Sequence, residues 1–368
     1  EDALRFARGE ELKAASGQMA KLHRALDWVA VTDHSDGMGT INELNVGNPE
    51  MMKDPTAKRW YDMMMAGPEQ GILAKREAIN AQATGTLPKT MMDPKWMVSA
   101  WEKTIDIMEK YNQPGKFTAF IAYEWTSNGD EGQNLHRNVI FRDGADKTRA
   151  TPPLTTFQSM VPGRKGTDPE SLWKWLTDWE AKTGGKALAI PHNGNMTDGW
   201  MFREKRDDGT AMTADWAAQR ARWEPLYEIY QYKGTGEQHP SLAPLDEFAD
   251  FGIWDTADLN ANLKKPGDIN TEYWREANKT GLKIQNSLGV NPFKYGAAAG
   301  TDSVRVLDPA SGCSERWVGH GFTSVEHLVV AGDRVGIVGG SPDRPTSVWQ
   351  LDLGDSSAVD LRRPAAPI

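Results

Sequence analysis

The sequence predicts an α/β fold, built as layers or as a barrel, and three features predict it. Strand and helix signals alternate from about residue 17 to 302. Four short apolar runs end in acidic or histidine residues: at Asp33-His34, Glu124, His192 and Asp302. Amphipathic stretches of helical length open on Asp-Pro pairs.

Taken in order, the chain opens at Glu1 within a helical-looking stretch, Asp2 to Arg8. Any leader would lie upstream, so the compartment, cytoplasmic or periplasmic, is left open. The first strand is Trp28-Val29-Ala30-Val31, followed by Thr32-Asp33-His34 and the turn signal Ser35-Asp36-Gly37. Residues 35–92 carry no strand pattern; helices are expected through Trp60 to Met65 and Gln70 to Gln82. So long an insertion between strands reads as a lid or a substrate-facing cap, with Trp60 and Met64 facing a cleft.

Asp93 caps a helix with Pro94 at its first position and Met97, Trp101, Ile105 and Met108 on one face. Phe117 to Tyr123 is the next strand, ending at Glu124, and Val139-Ile140-Phe141 follows His136. Asp168-Pro169 repeats the cap, with Leu172, Trp175, Leu176 and Trp179 as a core stripe. Ala187 to Pro191 leads to His192, and Tyr227 to Tyr232 precedes a second insertion, 235–265. A helix from Thr271 to Thr280 should stop at Gly281, and Gly296 to Thr301 ends at Asp302.

At 368 residues the chain suits one large domain with insertions or two smaller ones. Its 39% hydrophobic and 25% charged content is ordinary for a globular protein, and no apolar run approaches a bilayer span. A net charge of −9 argues against nucleic acid as the main partner. The single cysteine, Cys313, excludes an internal disulfide framework and a cysteine-rich zinc site. The last 66 residues contain no Lys, Met, Asn or Tyr. Residues 303–368 read either as a small β-rich tail or as a segment foreign to the barrel; segments such as Val335 to Val338 allow only small strands.

Carboxylates and imidazoles at several strand ends point to one metal centre, because burying such groups without partners is costly. Asp33 and His34 would face opposite sides of a regular strand, so both serve one site only if the strand ends there. Glu124, closing an apolar run, reads as a bridging ligand or as the partner of a buried arginine such as Arg137. His136 begins a strand instead of ending one. His192 heads a dense polar turn with Asn193, Gly194 and Asn195. Before Asp302, small residues let a ligand or metal approach the backbone. His23, His320 and His327 read as ordinary surface or core residues, and His239 is intermediate. There is no phosphate loop, nucleophile elbow or His-Glu-x-x-His helix.

The motifs Thr-Asp-His-Ser, Tyr-Glu-Trp-Thr-Ser, Asn-Leu-His-Arg-Asn-Val-Ile-Phe-Arg, Pro-His-Asn-Gly-Asn and Gly-Val-Asn-Pro-Phe-Lys-Tyr-Gly resemble a large bacterial group. This is the domain-of-unknown-function family 3604, related to the polymerase-and-histidinol-phosphatase (PHP) superfamily. The resemblance covers roughly residues 1–302. It implies a distorted, TIM-related β/α barrel with a two- or three-metal centre at its carboxyl-terminal mouth. It places ligands at His34, Glu124, His136, His192 and Asp302, with Asp33 ligating or supporting. Two departures stand out: the opening His-x-His of relatives would precede this chain, and Val304 stands where they carry a second ligand histidine.

The expected function is therefore metal-dependent hydrolysis of a phosphoester in a small anionic substrate, with two manganese, iron or zinc ions activating water. Arg137 would offer a fork for an anionic oxygen, or form a structural ion pair with Glu124 or Asp33; Asn193 or Asn195 would orient substrate or a ligand. The missing ligands motivate an alternative, a catalytically silent barrel that binds a metal or an anion. A third reading keeps the chemistry but takes a sulfate ester, phosphonate or glycosidic bond as the substrate.

Overall fold

A computed structural model describes residues 1–13, 19–78, 81, 86–129, 132–256, 263–264 and 268–300, and the backbone of 79–80, 82–83, 324–331, 334–341, 344–352 and 358–360. The helices are α1 (Asp2–Ala7), α2 (Thr40–Asn45), α3 (Pro55–Met65), α4 (Pro68–Ala83), α5 (Pro94–Tyr111), α6 (Ala145–Thr148), α7 (Pro169–Thr183), α8 (Ala214–Trp223) and α9 (Trp274–Leu288). The early strands are β1 (Leu12–Lys13), β2 (Met19–Ala20), β3 (Trp28–Ala30), β4 (Thr118–Phe120), β5 (Ala122–Trp125), β6 (Arg137–Phe141) and β7 (Ala187–Pro191). The later ones are β8 (Leu226–Gln231), β9 (Gly234–Thr235), β10 (Gly296–Ala299), β11 (Ser324–Ala331), β12 (Arg334–Ser341), β13 (Arg344–Asp352) and β14 (Ala358–Asp360).

The chain divides into two compact units, one joining residues 1–27 to 303–368 and the other running from Trp28 to Asp302. In the first, β1 pairs antiparallel with β2, and β11 to β14 form a four-stranded antiparallel meander. Strands of eight and nine residues are longer than the small strands expected from this tail. Only two residues separate β11 from β12, and β12 from β13, so consecutive strands pair directly despite their glycines.

In the second unit β3 runs parallel to β4, pairing Trp28 with Thr118 and Ala30 with Phe120. A parallel bridge between His34 and Glu124 continues the same register past a gap. β5, β6 and β7 form an antiparallel sheet, and β8 lies between parallel β10 and antiparallel β9. β7 and β8 are neighbours, although they belong to different sheets.

The caps follow the sequence closely. Asp93 accepts from the Lys95 amide at 3.0 Å, and Asp168 from the Glu170 amide at 2.9 Å, each ahead of a proline at the first helical position. The tryptophan stripes of α5 and α7 are core: Trp101 meets Tyr123 edge-on at 6.0 Å, and Trp179 lies 4.8 Å from Phe141.

Two expectations are corrected. Trp60 does not face a cleft. It is buried in a cluster with Leu44, Met51, Ala57 and Ala74, and its Nε1 donates to Glu77 at 2.9 Å; Met64 packs against the same cluster. The helices of 35–92 thus bury their apolar faces on one another. The last helix also continues past Gly281 to Leu288, where Gly289 takes the left-handed C-cap at φ 77°. Gly281 serves close packing instead, since a Cβ there would lie 2.1 Å from Asn291 Oδ1. No helix among the described residues is long and apolar enough to cross a membrane.

Candidate metal centre

Two backbone hydrogen bonds fix the centre. The Glu124 amide donates to Asp33 O at 2.8 Å, and the Ser35 amide donates to Glu124 O at 2.7 Å. They carry the parallel ladder beyond β3 and set His34 beside Glu124, with His34 Nε2 2.8 Å from Glu124 Oε2. Asp33 reaches the centre through its backbone, and the residue also lines an adjoining cavity.

The other carboxylate oxygen, Glu124 Oε1, lies 3.2 Å from His136 Nδ1 and 2.7 Å from His192 Nε2. Three strand ends therefore deliver three imidazoles to one carboxylate. The rings stand edge to face, His136 being 5.6 Å from His34 and 5.9 Å from His192. Glu124, His136 and His192 are buried, and His34 is exposed. Burial by itself would raise the Glu124 pKa, but His136, His192 and His34 hold it well below the ordinary carboxylate range. Burial lowers His136 against the pull of Glu124, whereas Glu124 and then Glu228 raise His192 in spite of burial.

The donor set fits a divalent ion. His136 Nε2 lies 2.8 Å from Asn128 Oδ1; in the tautomer with the proton on Nε2, donated to that oxygen, Nδ1 is the bare nitrogen aimed at Glu124. A lone pair facing an ionised carboxylate is repulsive unless both bind one cation. His192 leads to the same point: both ring nitrogens are buried outside hydrogen-bonding geometry, although Nε2 is close to Glu124. One atom each of His34, Glu124 and His136 lies within 4.8 Å of the other two, a spacing that can be spanned by one ion.

Of the residues singled out from sequence, His34, Glu124, His136 and His192 come together, and Asp302 lies outside the described residues. Arg137 does not join them. Its Nε donates to Glu224 at 3.1 Å, its guanidinium is 1% exposed, and Arg220 holds the second Glu224 oxygen at 3.1 Å. This is the structural ion pair, with Glu224 as partner in place of Glu124 or Asp33. Adjacent residues entering a strand face opposite ways, so a His136 turned to the centre sends Arg137 elsewhere.

Asn193 and Asn195 brace the turn after His192. Asn193 is left-handed (φ 53°), and its Oδ1 accepts from Gln231 at 2.7 Å. Asn195 Nδ2 donates to Lys233 O at 3.1 Å and Trp254 O at 2.7 Å, tying insertion 235–265 to this turn. His239 is satisfied by Asp255 at 2.8 Å and the Ser241 amide at 3.1 Å. Sequence reasoning missed Asn128, which lies in a loop with only a Ser-Asn-Gly turn signal.

The family described as "Protein of unknown function (DUF3604)" matches residues 1–328, most of the chain. The chain belongs to this family. Its match runs past residue 302 into the composition break, so the family pattern extends into that tail as far as 328. No curated protein and no solved structure matches the chain.

Proposed function

We propose that this family member is a metal-dependent hydrolase acting on a phosphoester of a small anionic substrate. The observation that carries the reading is the convergence of three imidazoles on the Glu124 carboxylate, with the far nitrogen of His136 already engaged by Asn128. Mixed imidazole and carboxylate donors suit manganese, iron or zinc. Two such ions, when bound, would supply an acidified water and polarise the ester. Glu124 spans the ligands with both oxygens, Asn128 fixes the His136 tautomer, and the Asn193 turn holds His192 in place.

A cavity of about 370 Å³ opens beside exposed His34, lined in part by Asp33, Asp36, Met38, Asn42, Lys103 and Thr104. Its volume is within the range of small-molecule sites. In this reading it receives the organic part of the substrate, with the Lys103 ammonium meeting an anionic oxygen. The same proposal includes kinship with the PHP hydrolases and a distorted barrel. The bridge from His34 to Glu124 and the nearness of β7 to β8 would then join three small sheets into one wall.

The test is metal analysis of chelator-free protein together with a screen of phosphomonoesters and phosphodiesters in added Mn²⁺. Turnover abolished by His192→Ala supports the enzyme. Stoichiometric metal without turnover supports the silent barrel, turnover of only sulfate esters or glycosides moves the substrate class, and no bound metal sinks the reading.

A further inference from the structure

We propose that Asn134 is a positioning residue that, through Asn193, sets the separation of His136 and His192 and so the geometry they offer to an ion. The inference rests on the metal-centre reading above. β6 and β7 stop pairing at Arg137 and Pro191, so the two histidines stand one residue past the end of their ladder. Asn134 closes that open end. Its Oδ1 accepts from the His136 amide at 3.3 Å, its Nδ2 donates to Asn193 Oδ1 at 3.4 Å, and its own amide donates to Met196 O at 3.0 Å. One side chain therefore holds the backbone of one histidine and the residue next to the other. From β8, Gln231 Nε2 donates to the same Asn193 oxygen at 2.7 Å.

Backbone donors fix which way these amides point. The His136 N–H on Asn134 Oδ1, and the Lys233 N–H on Gln231 Oε1 at 2.9 Å, turn both NH2 groups toward Asn193. Asn193 presents its oxygen to them from a left-handed backbone, φ 53°, which Asn adopts more readily than most residues. All three side chains are buried, Asn134 completely. In the low dielectric of the interior such bonds strengthen one another and hold a single arrangement. Asn134 meets the His136 backbone, whereas Asn128 meets its ring. Asn134 thus acts on where the ring stands and leaves its nitrogens to the ion and to Asn128.

The experiment is Co²⁺ titration with the visible absorption spectrum, which reports coordination geometry, on the full chain and on Asn134→Ala, Asn193→Gly and the double variant. Urea stability of each metal-free protein is measured alongside. Each single variant should bind Co²⁺ about tenfold to 100-fold more weakly, as loss of an outer partner does, and with a changed spectrum. Because the two residues act through one bond, the double variant should lose no more than the worse single variant. Asn134→Ser keeps a hydroxyl for the His136 amide but cannot reach Asn193; it should share the defect, and it replaces Asn134→Ala if that variant does not fold. Wild-type affinity and spectrum in the folded variants, whatever their stability, would overturn the positioning role and leave the Glu124 centre intact. Losses that add in the double variant would overturn it too. A wild-type chain that binds no Co²⁺ would overturn the metal-centre reading along with it.

Discussion

His192 Nε2 lies 2.7 Å from Glu124 Oε1, yet the two are not aligned as a hydrogen bond. Two side chains that ligate one ion approach each other in this way, with no proton between them. Glu124→Gln keeps the shape and removes the charge. It should weaken Mn²⁺ binding by more than about 100-fold, beyond the tenfold to 100-fold that follows loss of an outer partner. Equilibrium dialysis measures this, and wild-type affinity in the variant would contradict the centre.

Arg137 should matter to folding and not to metal. Deleting one partner of a buried ion pair typically costs about 3–5 kcal/mol, because the other charge is stranded. Arg137→Ala should therefore lower stability by that order in urea, leaving Glu224 unbalanced beside Arg220. Metal stoichiometry of the folded fraction should be unchanged; loss of metal at intact stability would return Arg137 to the site.

Lys103 tests the cavity. Lys103→Ala should raise KM for an anionic substrate about tenfold, worth about 1.4 kcal/mol, at unchanged kcat and metal content. An unchanged KM would place the substrate elsewhere.

Gly281 reverses the usual helix rule. Replacing an interior helical glycine with alanine ordinarily gains about 1 kcal/mol. Here the added Cβ meets Asn291 Oδ1, which is itself held by the Phe293 amide at 2.9 Å. Gly281→Ala should instead lose about 1–3 kcal/mol by overpacking. A rise in melting temperature would show that the α9 contact gives way easily.

Asp168 sets a pH trend. Burial, and then nearby Asp207, raise its pKa from 3.8 to about 7. Below about pH 4 the carboxyl is protonated in folded and unfolded chains alike. As pH climbs toward 7 the unfolded chain gives up the proton first, so this group's contribution to stability declines through that window. Asp168→Asn still caps α7 and should flatten the decline, by up to about 4 kcal/mol across roughly three pH units. Parallel stability profiles for variant and wild type would refute it.

Much of this was legible in sequence because strand ends and helix caps are local signals. The apolar runs ending at His34, Glu124 and His192 form strands or lead directly from them, and the Asp-Pro caps stand where the residues put them. Long-range pairings were not legible. Arg137 could be matched to any buried acid, and only the fold brings Glu224 beside it. Gly281 carries a stop signal whose true meaning depends on Asn291, ten residues on. Trp60 sits in an amphipathic stretch whose partner face, whether cleft or sister helix, is a tertiary choice.

The ladder joining His34 to Glu124 spans ninety positions of chain, whereas Glu124 and His136 face each other across adjacent antiparallel strands. The entropy of closing so long a loop grows only slowly with its length, so the helices of 35–92 can vary in number without undoing the pairing. Order of assembly is where the separation tells. The Glu124 and His136 pair can form within a local sheet, while His34 must wait for the distant strand to dock. Metal capture by the complete ligand set would thus report completion of the fold, and a refolding chain should gain tryptophan burial before it gains its full affinity for the ion.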